Sequence, residues 1–326
     1  MQIGSVEFSS FVRLAPMAGI TNPPFRLIAK ECESAFTTSE EIAAVALCKR
    51  NARTLELSRF LPDERPLAMQ LLGRDPAVLA EAARILEGMG ADIVDLNMGC
   101  PVQKVVGKGE GAALMQNPKQ AASIFRAMRK AIGVPLSIKI RCGWDDHSEN
   151  AVEIARCAEA EGVDAITVHP RSRAQQFHGK PKWNVIGEVV DQVSIPVTGN
   201  GDVLSMADAR AMMAQTGCHA VMIGRGALGK PWVFDHTFEQ LPPDAQHAYK
   251  THVIRRHADL IEAFFPEKYA LIQLKKHLVW YTAGLENSHS IRRAIYESPN
   301  RESVWRLFTE FWECAAGSVA AGVTSE

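Results

Sequence analysis

Cys100 stands between Gly99 and Pro101, just past the run Asp95-Leu96-Asn97-Met98. A thiol in a Gly/Pro turn at the end of a buried segment can meet a ligand as a core cysteine cannot. Its ordinary pKa of about 8.5 keeps it protonated near pH 7, so it can act as a proton donor. A nucleophilic role needs an activating base. Lys139 lies in Ser137-Ile138-Lys139-Ile140, and His169 follows Thr167-Val168. If these runs are strands, alternate side chains share a face. Lys139 then points with Ser137, His169 with Thr167 and Asn97 with Asp95. A lysine turned inward needs an anionic or polar partner. That partner is either the electron-rich edge of a ligand or an inward acid such as Asp95. Two turns, Gly199-Asn200-Gly201-Asp202 and Gly224-Arg225-Gly226, offer bare backbone N–H groups to a phosphate, with Arg225 adding charge. The alternative is a pair of ordinary glycine turns.

These residues share one placement. Eight short apolar runs alternate with helical patterns: Val12–Ala15, Phe36–Thr38, Leu67–Leu72, Asp92–Asn97, Leu136–Ile140, Ala165–Val168, Pro196–Thr198 and Ala220–Ile223. Ala77–Leu86 sets Val78, Leu79, Ala82, Ile85 and Leu86 on one helical face. Ser205 and Asp208 have capping-box spacing. Eight β–α units point to an α/β fold, a (β/α)8 TIM barrel, whose chemistry sits at the C-terminal ends of its strands. Every residue named above falls there. A doubly wound sheet is the alternative, but its first-turn G-x-G-x-x-G is absent. Leu241-Pro242-Pro243-Asp244 reads as a linker, with Asp244 as a helix cap. Four helical segments follow: a stripe from Tyr249 to Phe264, then Tyr269–Ala283, Ser290–Glu297 and Glu302–Ala316, with Asn300 as a cap. The expected domains are a barrel over 1–240 and a helical bundle over 245–326.

Composition narrows the function classes. The 326 residues are 47% hydrophobic and 22% charged, ordinary for a globular protein. Net charge is -1, so any nucleic-acid contact must use a local patch. No apolar run reaches the ~18 residues of a membrane span, and no secretory leader pattern opens the chain. The seven cysteines are odd in number and none pair at C-x-x-C spacing. That argues against zinc, iron–sulfur or disulfide frameworks and for a cytoplasmic protein.

Leu14-Ala15-Pro16-Met17-Ala18-Gly19-Ile20-Thr21-Asn22-Pro23-Pro24-Phe25-Arg26, Leu96-Asn97-Met98-Gly99-Cys100-Pro101, Asn200-Gly201-Asp202 and Ile223-Gly224-Arg225-Gly226-Ala227 together resemble the tRNA-dihydrouridine synthases, most of all their bacterial B-type branch. The resemblance implies an FMN-containing barrel and a helical tRNA-binding domain. It implies reduction of the uracil 5,6 double bond in tRNA, with NADPH or NADH as electron source. Pro16, Met17 and Ala18 would line the flavin. Gln70 and Lys139 would bond its pyrimidine edge. Asn200, Gly201, Asp202, Gly224 and Arg225 would hold the ribityl phosphate. Cys100 would protonate uracil carbon 5, His169 and Arg171 would complete the pocket, and Asn97 would contact the target base. The sequence departs from the family pattern at Pro170 and Ser172, where Gly and Thr are expected. It departs again at Asn22, where Asp is common, and at Cys142, where Thr is frequent.

Residues 268 to 306 hold seven basic side chains against three acidic ones. Lys275, Lys276, Arg292 and Arg293 are the candidate contacts to an RNA backbone. Trp280 and Tyr281 could stack on bases or fill the helical core. Two other readings remain open here: a flavin oxidoreductase of free pyrimidines, and a tRNA-binding protein with vestigial chemistry. A monomer is expected, since tRNA itself supplies a large interface.

Overall fold

The computed structural model describes residues 2–322, with side chains as far as Ala315. The chain divides into two compact units, Met1–Gly226 and Ala227–Glu326. In the first, eight strands run in chain order: β1 (Val12–Leu14), β2 (Thr37–Thr38), β3 (Leu67–Leu72), β4 (Ile93–Met98), β5 (Leu136–Arg141), β6 (Ala165–His169), β7 (Val197–Asn200) and β8 (Ala220–Ile223). Hydrogen bonding follows the order β1-β8-β7-β6-β5-β4-β3-β2, all parallel. β1 and β2 pack side by side, so the sheet is a nearly closed barrel. A short extension, Ile42–Ala43, adds to the far end of β3. The N-terminal mouth is plugged by apolar packing of Ile3, Phe8 and Phe36 on Ala68, Ile93 and Ala165. That leaves the C-terminal mouth for chemistry.

Local sequence explains the helices that wrap the strands. Asn22, Asp75, Asn117 and Ser205 each accept a hydrogen bond from the backbone N–H three residues on, at 2.9 to 3.1 Å. Prolines at 23, 76 and 118 occupy first turns, where a missing N–H costs nothing. Asn22 therefore caps as an aspartate would. On the helix Pro76–Gly88, Leu79, Ala82 and Leu86 are buried, as the spacing requires, while Val78 and Ile85 are half-buried. The Ser205–Asp208 cap forms, with the Asp208 carboxylate reaching Leu204 N rather than Ser205 N. Arg26 is fully buried and paired with Glu64 at 2.5 Å. It also donates to the carbonyls of Thr21 and Arg59, so the helix after β1 is locked to the segment before β3. Removing either partner would strand a buried charge.

Several strands run further than the sequence pattern suggested. β7 continues through Gly199 to Asn200, and β6 includes His169. The unit boundary also falls earlier than the proline linker. Residues 231–240 form two short 3-10 turns whose Trp232 and Phe238 pack with Tyr249 and Tyr281 of the helices. The second unit then has helices Pro243–Phe264, Glu267–Tyr281, Ser288–Glu297 and Arg301–Gly322. Asp244 sits in a first turn instead of capping, because Pro243 begins that helix. Asn300 does cap, accepting from Ser303 N at 2.9 Å. Tyr281 is core, with its hydroxyl 2.9 Å from His257 Nδ1.

The segment after β4 is shaped by Gly111. Its φ is +61°, and a Cβ there would lie 2.8 Å from Cys100 O and 3.1 Å from Cys100 Cβ. Gly284 has φ +83° but nothing within 4 Å of a Cβ. Gly284→Ala should therefore cost only left-handed strain, about 1 kcal/mol. Gly111→Ala should cost about 2 to 3 kcal/mol, since the neighbour is backbone and cannot step aside. Urea unfolding of both variants checks this, and equal losses would mean the Cys100 turn yields freely.

Candidate active site

Side-chain parity places a chain of polar groups inside the C-terminal mouth. Register pairs Gln70 with Asp95, Asp95 with Ser137, and Asn97 with Lys139. Asp95 is nearly inaccessible and accepts from Ser137 Oγ at 2.5 Å and Gln70 Nε2 at 2.7 Å. Gln70 Oε1 in turn accepts from Asn97 Nδ2 at 2.8 Å. Asn97 Oδ1 then accepts from the backbone N–H of Gly99 at 3.1 Å and of Cys100 at 2.9 Å. The turn bearing the thiol is thus hung from a side-chain relay that begins at a buried carboxylate.

Lys139 is half-buried, and its ammonium donates to Asn200 Oδ1 at 3.0 Å, not to Asp95. Asn200 Nδ2 donates to Met222 O at 2.7 Å, which fixes the amide's orientation. Burial, reinforced by the Arg141 charge, pulls the lysine down to about 7, with Asp95 opposing. Burial also pushes the Asp95 carboxyl up. His169 is buried and held well below its ordinary value, first by burial and then by Lys139, Arg141, Arg171 and Arg225. It is a neutral imidazole near pH 7. Burial raises the Cys100 thiol to about 11, with the charge of the neighbouring Glu41 carboxylate adding to the shift. The thiol is therefore an un-ionised acid throughout the physiological range.

Arg141, not singled out by the sequence, braces the same turn. Its Nε donates to Gly99 O at 2.7 Å, and Nη1 donates to Ser172 O at 3.0 Å and Gln176 O at 2.8 Å. One guanidinium thus joins the turn after β4 to the loop after β6. Arg171 is buried and grips Asp202 with two bonds, 2.9 and 2.5 Å, while also donating to His178 O and Gly179 O. Arg225 meets the same carboxylate at 2.8 Å. Asp202, at φ +53°, is thereby held in a conformation that L residues seldom adopt. Arg171, Asp202 and Arg225 form one unit; Arg171 faces inward within it rather than toward an open pocket. Pro170 keeps its carbonyl in use, accepting from Lys182 N at 3.2 Å.

The glycine turn after β8 lies beside the loop after β1, which holds Pro16, Met17 and Ala18, while Gly201 of the turn after β7 lies against His169 and Pro170. A Cβ on Gly224 would stand 3.7 Å from Met17 Sδ. The N–H groups of Gly201, Asp202 and Gly224 donate to no acceptor among the described residues. Gly226 approaches Val203 O so closely that a Cβ would sit 2.3 Å away. Backbone donors next to Arg225 suit a phosphate. A lysine and an amide side chain at the inner wall suit a polar heterocycle edge. This donor set fits a flavin mononucleotide.

The second unit holds the remaining sequence candidates. Lys275 Nζ donates to Tyr296 O at 3.0 Å and Ser298 O at 2.5 Å, at the end of the helix Ser288–Glu297. Arg292 Nε donates to Thr282 Oγ1 at 3.2 Å. Lys276 reaches Gln273 and lies over the Trp280 ring, 5.8 Å from its centroid. Arg293 is well exposed and pairs with Glu297 at 2.7 Å.

Comparison with known proteins bears on this site. The sequence model described as "Dihydrouridine synthase (Dus)" matches residues 13–314. A probable tRNA-dihydrouridine synthase of Rickettsia conorii is 37% identical over 318 residues, covering 96% of each chain. The tRNA-dihydrouridine synthase B of Pseudomonas aeruginosa is 38% identical over 303 residues, covering 90% of each. Among solved structures, a 2-naphthoyl-CoA reductase superposes with a TM-score of 0.60 at 12% identity, covering 75% of this chain and 52% of that one. Histamine dehydrogenase from Rhizobium sp. 4-9 gives 0.56 at 11% identity, covering 80% and 50%. At those identities the likeness is one of barrel fold alone. The family match spans both units and every motif at the barrel mouth: the chain belongs to the dihydrouridine synthase family.

Proposed function

We propose that this protein is a tRNA-dihydrouridine synthase that reduces the 5,6 double bond of a uridine in tRNA. Its resident cofactor is FMN, and NADPH or NADH is the electron donor. The observation that carries the reading is the un-ionised Cys100 thiol, hung on Asn97 beside an inward lysine in a chain of this family. FMN, when bound, supplies hydride to uracil carbon 6. Cys100 supplies the proton to carbon 5. An acid must be neutral before it gives its proton, and burial keeps this thiol so. Lys139 and Gln70 hold the flavin's pyrimidine edge, and the lysine's charge stabilises electron density there. Gly201, Asp202, Gly224 and Arg225 hold the phosphate, Asp202 mainly by positioning Arg225. Pro16, Met17 and Ala18 line the ring, His169 packs as a neutral donor or acceptor, and Asn97 touches the base.

The target uridine must leave its stack to reach the barrel mouth. The helical unit supplies the docking surface, through Lys276 and Arg293 with support from Lys275 and Arg292. The protein acts as a cytoplasmic monomer. Among the described residues no helix is long and apolar enough to cross a membrane.

Purified protein should show flavin absorption bands that bleach with NADPH under anaerobic conditions and recover on adding unmodified tRNA. Bands that bleach but recover only with free pyrimidines would transfer the substrate assignment to those. Cys100→Ala should keep FMN and lose at least 100-fold in tRNA reduction; near wild-type turnover would remove Cys100 from the mechanism. Lys276→Glu combined with Arg293→Glu should weaken tRNA binding at least tenfold and flatten its salt dependence by about two counterions. An unchanged salt slope would place the RNA surface elsewhere.

A further inference from the structure

Glu41 is a carboxylate at the barrel mouth that the reaction as described leaves without a task. It follows β2 and precedes the Ile42–Ala43 extension, which fixes its backbone on the edge of β3. Its Oε2 accepts from Asn97 Nδ2 at 3.3 Å, and its carboxylate is near enough to the Cys100 thiol for each to act on the other's charge. Asn97 therefore holds the acid and the thiol together, since its Oδ1 receives Cys100 N at 2.9 Å. The other side of Glu41 opens on a cleft of about 900 Å³ lined also by Lys49, Arg74, Lys104, Lys108 and Glu110. Glu41 thus stands between the half-buried Cys100 and an open cleft. The groups facing it are Cys100, the acids Glu40 and Glu110, and Asn97. Arg141 faces the thiol from β5. Burial and the two acids make Glu41 readier than an ordinary glutamate to carry a proton.

We infer that Glu41 is the proton relay for Cys100, returning a proton to the sulfur after each transfer to substrate. The inference rests on Cys100 being the acid. Proton loss to carbon 5 leaves a thiolate in a site that disfavours it. The Glu41 carboxyl gives its proton to Sγ: its O–H bond breaks and an S–H bond forms. The resulting carboxylate takes a proton from a hydronium ion of the solvent: an O–H bond of the hydronium breaks, water is left, and the carboxyl O–H bond re-forms. One solvent proton enters per turnover, and no electrons move in the relay.

Glu41→Gln tests this, because the amide keeps the shape and the contact to Asn97 but cannot cycle a proton. Enzyme reduced with NADPH and mixed with unmodified tRNA should complete a first turnover at nearly the wild-type rate. Steady-state turnover should then fall at least tenfold. Iodoacetamide labelling of the Cys100 peptide at pH 8, read by mass spectrometry, should accelerate roughly fivefold, because a nearby negative charge that suppresses the thiolate is gone. Glu41→Ala should show the same slow steady state and recover several-fold with added acetate, which can enter the cleft. Wild-type steady-state turnover in Glu41→Gln, or no acetate rescue in Glu41→Ala, overturns the relay. Cys100→Ala separates the two assignments: full activity there removes the acid itself, whereas loss of its first turnover with Glu41→Gln unaffected throughout removes only Glu41.

Discussion

A carboxylate buried at the centre of a parallel barrel must be satisfied on every lone pair or protonated, and the rest of this site follows from how Asp95 meets that demand. Ser137 and Gln70 supply its donors. Gln70 is then oriented with its carbonyl oxygen accepting from Asn97, and Asn97 turns its own oxygen toward the amides of Gly99 and Cys100. Each link is a short hydrogen bond in a low-dielectric interior, where a broken link leaves an unmet polar group costing about 1 to 3 kcal/mol. The position of the thiol is therefore determined by strand register rather than by the flexibility of its loop. Arg141 adds a second tether from the opposite side, through Gly99 O.

The cations around the mouth are arranged by the same rule. Lys139, Arg141, Arg171 and Arg225 stand close together around the neutral His169, and burial works against the charges of Lys139 and Arg141. Asp202 answers for two of the arginines, while Asn200 answers for the lysine with a neutral oxygen. A carboxylate in the Asn200 place would neutralise Lys139 and hold it against the wall. An amide leaves the charge only partly compensated and able to respond to electron density on a ring beside it. Burial pulls the lysine to about 7, so its charge is sensitive to what binds. Added negative charge on a bound ring would raise that value and keep the proton in place.

The barrel and most of its mouth were readable from the chain because a parallel strand in a closed barrel has one polar-tolerant face. Alternation in Ser137-Ile138-Lys139-Ile140 and in Asp95-Leu96-Asn97-Met98 was enough to turn Lys139, Asp95 and Asn97 inward, and the structure agrees. Lys139 had two readings, the edge of a ligand or an inward acid; its contact with the Asn200 amide is neither, and it arises because β7 extends to that residue. Arg141, Glu41 and Gly111 escaped for a different reason. Arg141 ends a strand and looks like an ordinary solvated base, yet its partners lie 42, 31 and 35 residues away. Glu41 meets Asn97 across 56 residues. Gly111 is one of 23 glycines, and nothing local says that its α-carbon faces Cys100. Contacts of that kind are set by topology, which propensity and periodicity do not encode. The proline pair at 242–243, read from the sequence as a linker, lies within the second compact unit, where Pro243 begins a helix.

Charge counting in the helical unit needs the same care. Seven basic residues between 268 and 306 suggest a broad RNA-facing surface. The Lys275 ammonium instead satisfies carbonyls at the C-terminal end of Ser288–Glu297, where the helix dipole favours a cation. Arg301 is paired with Glu262 on a neighbouring helix, and Arg292 holds Thr282. These side chains tie helix to helix, so moving them onto a phosphate would cost the bundle its own contacts. Counterion release scales with the phosphates that are neutralised, not with the cations present. The surface that reads RNA is accordingly narrower than the sequence excess, and it centres on side chains such as Arg293 whose one ion pair is solvent-exposed and worth little, about 0.5 kcal/mol.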